Sequence, residues 1–120
     1  MSEKINYVEF PAANIEATKA FFTQCFNWQF QDYGSNYTAF SNAGLEGGFY
    51  QSDQVASADR GSALIVLYSD DIIASLNKVK ACGGDIVRKI FEFPGGCRFH
   101  FTEPSNNELA IWSPHVPEFY

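Results

Sequence analysis

Basic residues are scarce in this chain. Eight lysines and arginines stand against fourteen aspartates and glutamates, giving a net charge of −6 and a pI near 4.7. Nucleic acid and anionic membrane surfaces select a basic face, so neither is expected as a partner. Cysteine is sparse as well. Cys25, Cys82 and Cys97 are an odd number without CxxC spacing. That argues against a disulfide framework or a thiolate metal site and for small buried apolar side chains. No apolar run approaches the roughly 20 residues that cross a bilayer. The start, Met1-Ser2-Glu3-Lys4, lacks the apolar core of a signal peptide, so a reduced, cytoplasmic protein is expected. Also missing are a glycine-rich phosphate loop, a GxSxG elbow and an HExxH helix, so no nucleotide site or hydrolase triad is indicated.

Apolar and aromatic residues are plentiful. At 46% hydrophobic and 17% aromatic over 120 residues, the chain can bury a core and should form one domain. Residues 4–10 alternate as a strand does, and Pro11 should end it. Asn14 is a plausible helix cap, followed by Ile15, Thr18, Phe21, Phe22 and Cys25 at helical spacing, which predicts a helix over 15–25. Strands are expected over 27–32, 36–40 and 45–51. The last of these contains Gly47-Gly48, a sign of a bulge or of close ligand approach.

Residues 52–61 are polar and small and read as a linker. The same order then returns: a strand over 62–68, a cap at Asp71, a helical stripe of Ile72, Leu76, Val79 and Cys82 ended by Gly83-Gly84, and strands over 85–91, 97–102 and 108–112. An offset of 57 carries Asn14 onto Asp71 and Cys25 onto Cys82 (71 − 14 and 82 − 25). The pattern predicts an α+β fold of two tandem βαβββ modules, residues 1–51 and 62–113, with a tail over 114–120. A ferredoxin-like fold has too few strands for it. Each half is too small for an independent core.

The turn Glu103-Pro104-Ser105-Asn106-Asn107 resembles a landmark of the glyoxalase/bleomycin-resistance/dioxygenase superfamily, the vicinal oxygen chelate proteins. There aspartate-proline-x-glycine-asparagine precedes a metal-binding glutamate. Tyr7-Val8-Glu9-Phe10-Pro11-Ala12 with Asn14 resembles the start of lactoylglutathione-lyase relatives. Lys19-Ala20-Phe21-Phe22 and Cys25-Phe26-Asn27-Trp28 resemble their next two stretches. The resemblance implies two modules curving a mixed sheet around a concave groove, a small-molecule ligand there, and commonly a homodimer. In the metal-dependent members the ligands are histidines and glutamates. Their positions correspond here to Tyr7, Leu64 and Ala110, with Glu46 alone able to serve near the end of the first module. Leucine and alanine cannot ligate, so no metal and no other cofactor are expected. Glu108 replaces the missing glutamate only if the turn is shifted by two residues.

Strand parity places Tyr7 and Glu9 on the face opposite Val8 and Phe10, and Arg98, His100 and Trp112 opposite Phe99, Phe101 and Ile111. These residues are expected to share one cavity, with Phe49 and Leu64 among the ligand contacts. Glu9, in a partly apolar groove, and His100 are the candidates for proton transfer. Arg98 could hold an anionic end. Three functions fit: a small-molecule-binding protein without catalytic metal; a lyase, isomerase or dioxygenase with an atypical site around Glu9, Glu46, His100 and Glu108; or a non-catalytic dimeric regulatory partner. The tail Val116–Tyr120 is expected to contribute to a dimer contact.

Overall fold

A computed structural model describes residues 2–120. Its first strand, β1 (Tyr7–Ala12), runs through Pro11 instead of stopping there. Proline lacks an N–H, but β1 lies at the edge of its sheet, where one side of the backbone needs no ladder partner. Helix α1 (Ile15–Phe26) begins where the Asn14 side chain accepts from the Ala17 N–H at 3.0 Å, and ends at Asn27 in the left-handed region. Strands β2 (Gln29–Asp32), β3 (Tyr37–Ser41) and β4 (Glu46–Gln51) complete a sheet of order β1-β4-β3-β2, in which β1 and β4 are parallel.

A 3-10 turn at Ala58–Arg60 leads into the second half. There β5 (Ile65–Tyr68), α2 (Ile72–Ala81), β6 (Asp85–Phe93), β7 (Gly96–Thr102) and β8 (Glu108–Ser113) repeat the order, with sheet order β5-β8-β7-β6. Asp71 caps α2 by accepting from the Ala74 N–H at 3.1 Å. Among the described residues, no helix is long and apolar enough to cross a membrane.

Gly47 and Gly48 make no bulge: β4 pairs without a register break to β1 and β3. A Cβ on Gly47 would strike the Phe40 ring and the Val8 carbonyl, and one on Gly48 would strike the Tyr37 phenol. The two glycines clear space for aromatic rings lying across β4, one on each face of the sheet.

One apolar cluster serves both modules. Phe10 and Phe49 stack at 5.3 Å, and Phe22 lies between Trp28 at 4.4 Å and Phe49 at 5.5 Å. Phe101 of β7 meets Phe21 and Phe26 of α1, with centroids 6.0 and 6.1 Å away. Cys25 and Cys97 are buried, as small apolar residues.

A buried polar knot ties the modules beside that cluster. Glu103, only 2% exposed, accepts from Thr18 Oγ1 at 2.6 Å, Ser105 N at 3.0 Å, Asn107 N at 3.2 Å and Asn107 Nδ2 at 2.9 Å. Asn107 Nδ2 also donates to the Pro11 carbonyl at 2.6 Å, fastening the β7–β8 turn to the first strand. Burial pushes the Glu103 carboxyl above its usual range, against the pull of these hydrogen bonds.

Candidate functional site

Along β7, Cys97, Phe99 and Phe101 point into the core with no exposed surface. Alternation sends Arg98, His100 and Thr102 to the opposite face, where His100 stands beside Ala110 of β8 and Arg88 of β6. His100 is 4% exposed. Its Nδ1 lies 2.7 Å from Glu108 Oε2, which fixes the ring and leaves Nε2 as its second polar atom. That Nε2 and the Nε of Arg98 are both buried without a hydrogen-bond partner.

Two register shifts on β6, between Ile86 and Arg88 and between Arg88 and Phe91, bring both Arg88 and Phe91 opposite concave-face residues of β7. The Arg88 guanidinium lies 3.7 Å from the Phe91 ring centroid. Arg98 lies 5.2 Å from that ring and 5.7 Å from Phe93. Glu108 has its other oxygen on the Ala58 N–H at 3.0 Å. Burial pushes its carboxyl up, but the His100 and Ala58 hydrogen bonds and the charges of His100 and Arg88 outweigh this and hold it below the usual range. A cavity of about 360 Å³ opens here, walled by Arg88, His100, Thr102, Glu108 and the Ser57–Asp59 turn.

The first sheet presents a different chemistry on its corresponding face. Tyr37 donates to Glu9 Oε2 at 2.9 Å, so Tyr7 donates to the Tyr37 hydroxyl at 2.6 Å. Burial, followed by the Tyr7 and Glu9 neighbours, raises the Tyr37 phenol well above its ordinary range. Glu9 is exposed, not set in an apolar groove, and Tyr7 is 42% exposed. Glu46 is Tyr7's partner on β4 and lines a cleft with it.

The sequence-predicted residues thus fall into two groups. Arg98, His100 and Trp112 share the second sheet, where Trp112 pairs with Arg98 across the strands and meets the Tyr68 ring edge-on at 5.6 Å. Tyr7 and Glu9 belong to the first sheet, and the cleft beside Tyr7 shares no lining residue with the His100 cavity. Leu64 is half-buried just ahead of β5. Phe49 corrects the expectation outright: it is fully buried against Phe10 on the helix side, where no groove ligand reaches it. Arg88 and Tyr37 were missed. The β6 bulges obscure the parity of Arg88, and only strand pairing reveals Tyr37 as Glu9's partner.

The family model for the glyoxalase/bleomycin resistance protein/dioxygenase superfamily matches residues 4–111. The chain belongs to this superfamily. No curated protein sequence matches it. Solved structures share the superfamily fold at low identity. The fosfomycin resistance protein FosX of Listeria monocytogenes is 18% identical with a TM-score of 0.77, over 94% of each chain. A glyoxalase-related enzyme from Fulvimarina pelagi is 13% identical with a TM-score of 0.76, over 93% of this chain and 88% of that one. Lactoylglutathione lyase from Agrobacterium tumefaciens is 14% identical with a TM-score of 0.71, over 94% and 95%.

The divalent ion of the superfamily's metal-dependent members does not fit the residues at the corresponding positions. Ala110 is buried and has no donor, Leu64 has none, and the Tyr7 phenol is engaged by Tyr37. Glu46 and Glu108 line different cavities. Among the described residues, no three histidine, cysteine or carboxylate side chains converge.

Proposed function

We propose that this superfamily member binds a small, partly apolar ligand with an anionic end, without a catalytic metal, on the face of its second sheet. One observation carries the reading. Arg98 Nε and His100 Nε2 are buried polar atoms two residues apart on one strand face, and neither has a partner in the protein. Buried polar groups are nearly always satisfied, so an orphaned pair of this kind suits an acceptor brought by a ligand. Phe91 and Phe93 lie against the Arg98 guanidinium and Trp112 pairs with Arg98 across the strands, giving apolar surface beside that half of the pair. Arg88 adds a second cation on the wall of the His100 cavity.

The enzyme reading of the same site rests on the His100–Glu108 pair. A carboxylate that orients one imidazole nitrogen presents the other for proton transfer, the arrangement of a general acid or base. Glu9 acts in that reading only if a second copy supplies it. The two faces favour such pairing: Glu9 and Glu46 make the first acidic, while on the second Arg88 and Arg98 outnumber the single Glu108 carboxylate. Tyr7, Tyr50, Val66 and Tyr68 lie exposed on them. We therefore also propose a two-fold homodimer that sets these faces against each other.

Titration with small aromatic carboxylates and phosphonates, followed by calorimetry, tests the ligand. Arg98→Ala and His100→Ala are each expected to weaken binding by about tenfold, roughly 1.4 kcal/mol. Folded variants that bind like the parent overturn the site. Stoichiometric zinc, nickel, iron or manganese retained through dialysis overturns its metal independence. Sedimentation at assay concentrations is expected to show a dimer that Tyr68→Lys dissociates. A parent protein that sediments as a monomer rules the pairing out.

A further inference from the structure

A second cavity lies on the other side of the second sheet, away from the His100 face. It has a volume of about 780 Å³, in the range of small-molecule sites, and opens between α2 and β6. Val79 and Ile72 of α2 are buried in the shared core. Ile73, Leu76 and Lys80 form the neighbouring stripe at helical spacing, and this stripe faces the cavity instead. Ile86 and Ile90 of the edge strand form the opposite wall. The floor is therefore aliphatic from both sides.

Its rim carries charge of the sign this chain has least of. Lys80 comes from the helix and Lys89 from the strand, two of only eight lysines and arginines in a chain of net charge −6. Neither forms an ion pair among the described residues. Asp85 also lines the cavity, as does the C-terminal Tyr120, whose hydroxyl is held by Glu92 at 2.6 Å. Against the single Asp85 carboxylate, the two unpaired ammonium groups leave the rim net positive, which matches a molecule with an apolar tail and one anionic head better than one with a cationic head.

We propose that the α2–β6 cavity is a separate binding site for an aliphatic carboxylate, its tail laid between Ile73, Leu76, Ile86 and Ile90 and its head held by Lys80 and Lys89. The charge match at the rim selects this occupant over a neutral or cationic amphiphile. The site is independent of the His100 cavity, since the two share no residue.

The test uses dodecanoate and dodecyltrimethylammonium, both below their micelle concentrations, with the full chain followed by amide chemical shifts and calorimetry. Dodecanoate is expected to bind and to shift amides of α2 and β6, and the cationic amphiphile to bind at least about tenfold more weakly. Lys80→Glu combined with Lys89→Glu changes exposed side chains only, so the fold should persist. This variant is expected to lose dodecanoate affinity by about tenfold or more and to accept the cationic probe instead. His100→Ala should leave dodecanoate binding unchanged, which separates this site from the one proposed above. Equal affinity for the two amphiphiles, retention of dodecanoate by the double variant, no dodecanoate binding at all, or shifts confined to the His100 face would each overturn the proposal.

Discussion

Glu103→Ala is expected to lower the free energy of unfolding by about 3 kcal/mol, with a fall of roughly 10 °C in midpoint for a chain of this size. The carboxylate accepts four hydrogen bonds inside the protein. Thr18 keeps Ser105 Oγ as an alternative at 2.7 Å, and Asn107 Nδ2 keeps the Pro11 carbonyl at 2.6 Å. The N–H groups of Ser105 and Asn107 have no such replacement, and each stranded donor costs about 1–3 kcal/mol. Glu103→Gln retains an acceptor and most of the volume, so its loss should be smaller. Urea unfolding followed by tryptophan fluorescence measures both, and a loss below about 1 kcal/mol for the alanine variant sinks the argument. The pH dependence has an unusual sign. Because burial raises the folded pKa of Glu103, the native state holds this proton more tightly than the unfolded chain. Its contribution therefore improves as pH falls through the folded pKa toward the unfolded value, and worsens as pH rises back through that window. The acid limb of the parent should accordingly be steeper in Glu103→Gln, which lacks that gain.

Much of this architecture is legible from local chemistry. Asn14 and Asp71 cap helices because their side chains can accept from an N–H three residues on, a property visible without coordinates. His100 could be assigned to the face opposite Phe99 and Phe101 because β7 alternates without a break between them. Failures came where a partner lies far along the chain. Nothing in Glu103 itself announces burial, since carboxylates are seldom inside, and its partner Thr18 is 85 positions away. Pro11 reads as a stop until β1 is known to be an edge strand. Phe49 follows two glycines that suggest ligand approach, but its pairing with Phe10 puts it on the core side. The His100–Glu108 contact needs the Thr102–Glu108 strand register, which the turn length leaves open.

Phe101→Ala is expected to cost about 3–5 kcal/mol, and to cost it to both modules at once. The ring is fully buried on β7, yet two of its aromatic neighbours, Phe21 and Phe26, belong to α1 of the first module. Each helix covers the sheet of its own module, but α1 also reaches Phe101 of the other sheet and the buried side chains form one continuous cluster, so the halves should unfold as one unit. The two tryptophans allow a direct test, because Trp28 lies in the first module and Trp112 in the second. With Trp112→Phe as background the fluorescence follows Trp28, and with Trp28→Phe it follows Trp112. In both backgrounds Phe101→Ala should shift the urea midpoint by the same amount, with the two transitions coincident. Phe101→Leu should recover a good part of the loss, since it refills most of the cavity. If the first module kept its midpoint while the second fell, the repeat would be two independently stable units sharing a chain. The shared phenylalanine cluster would then be a contact surface between them and not their common core.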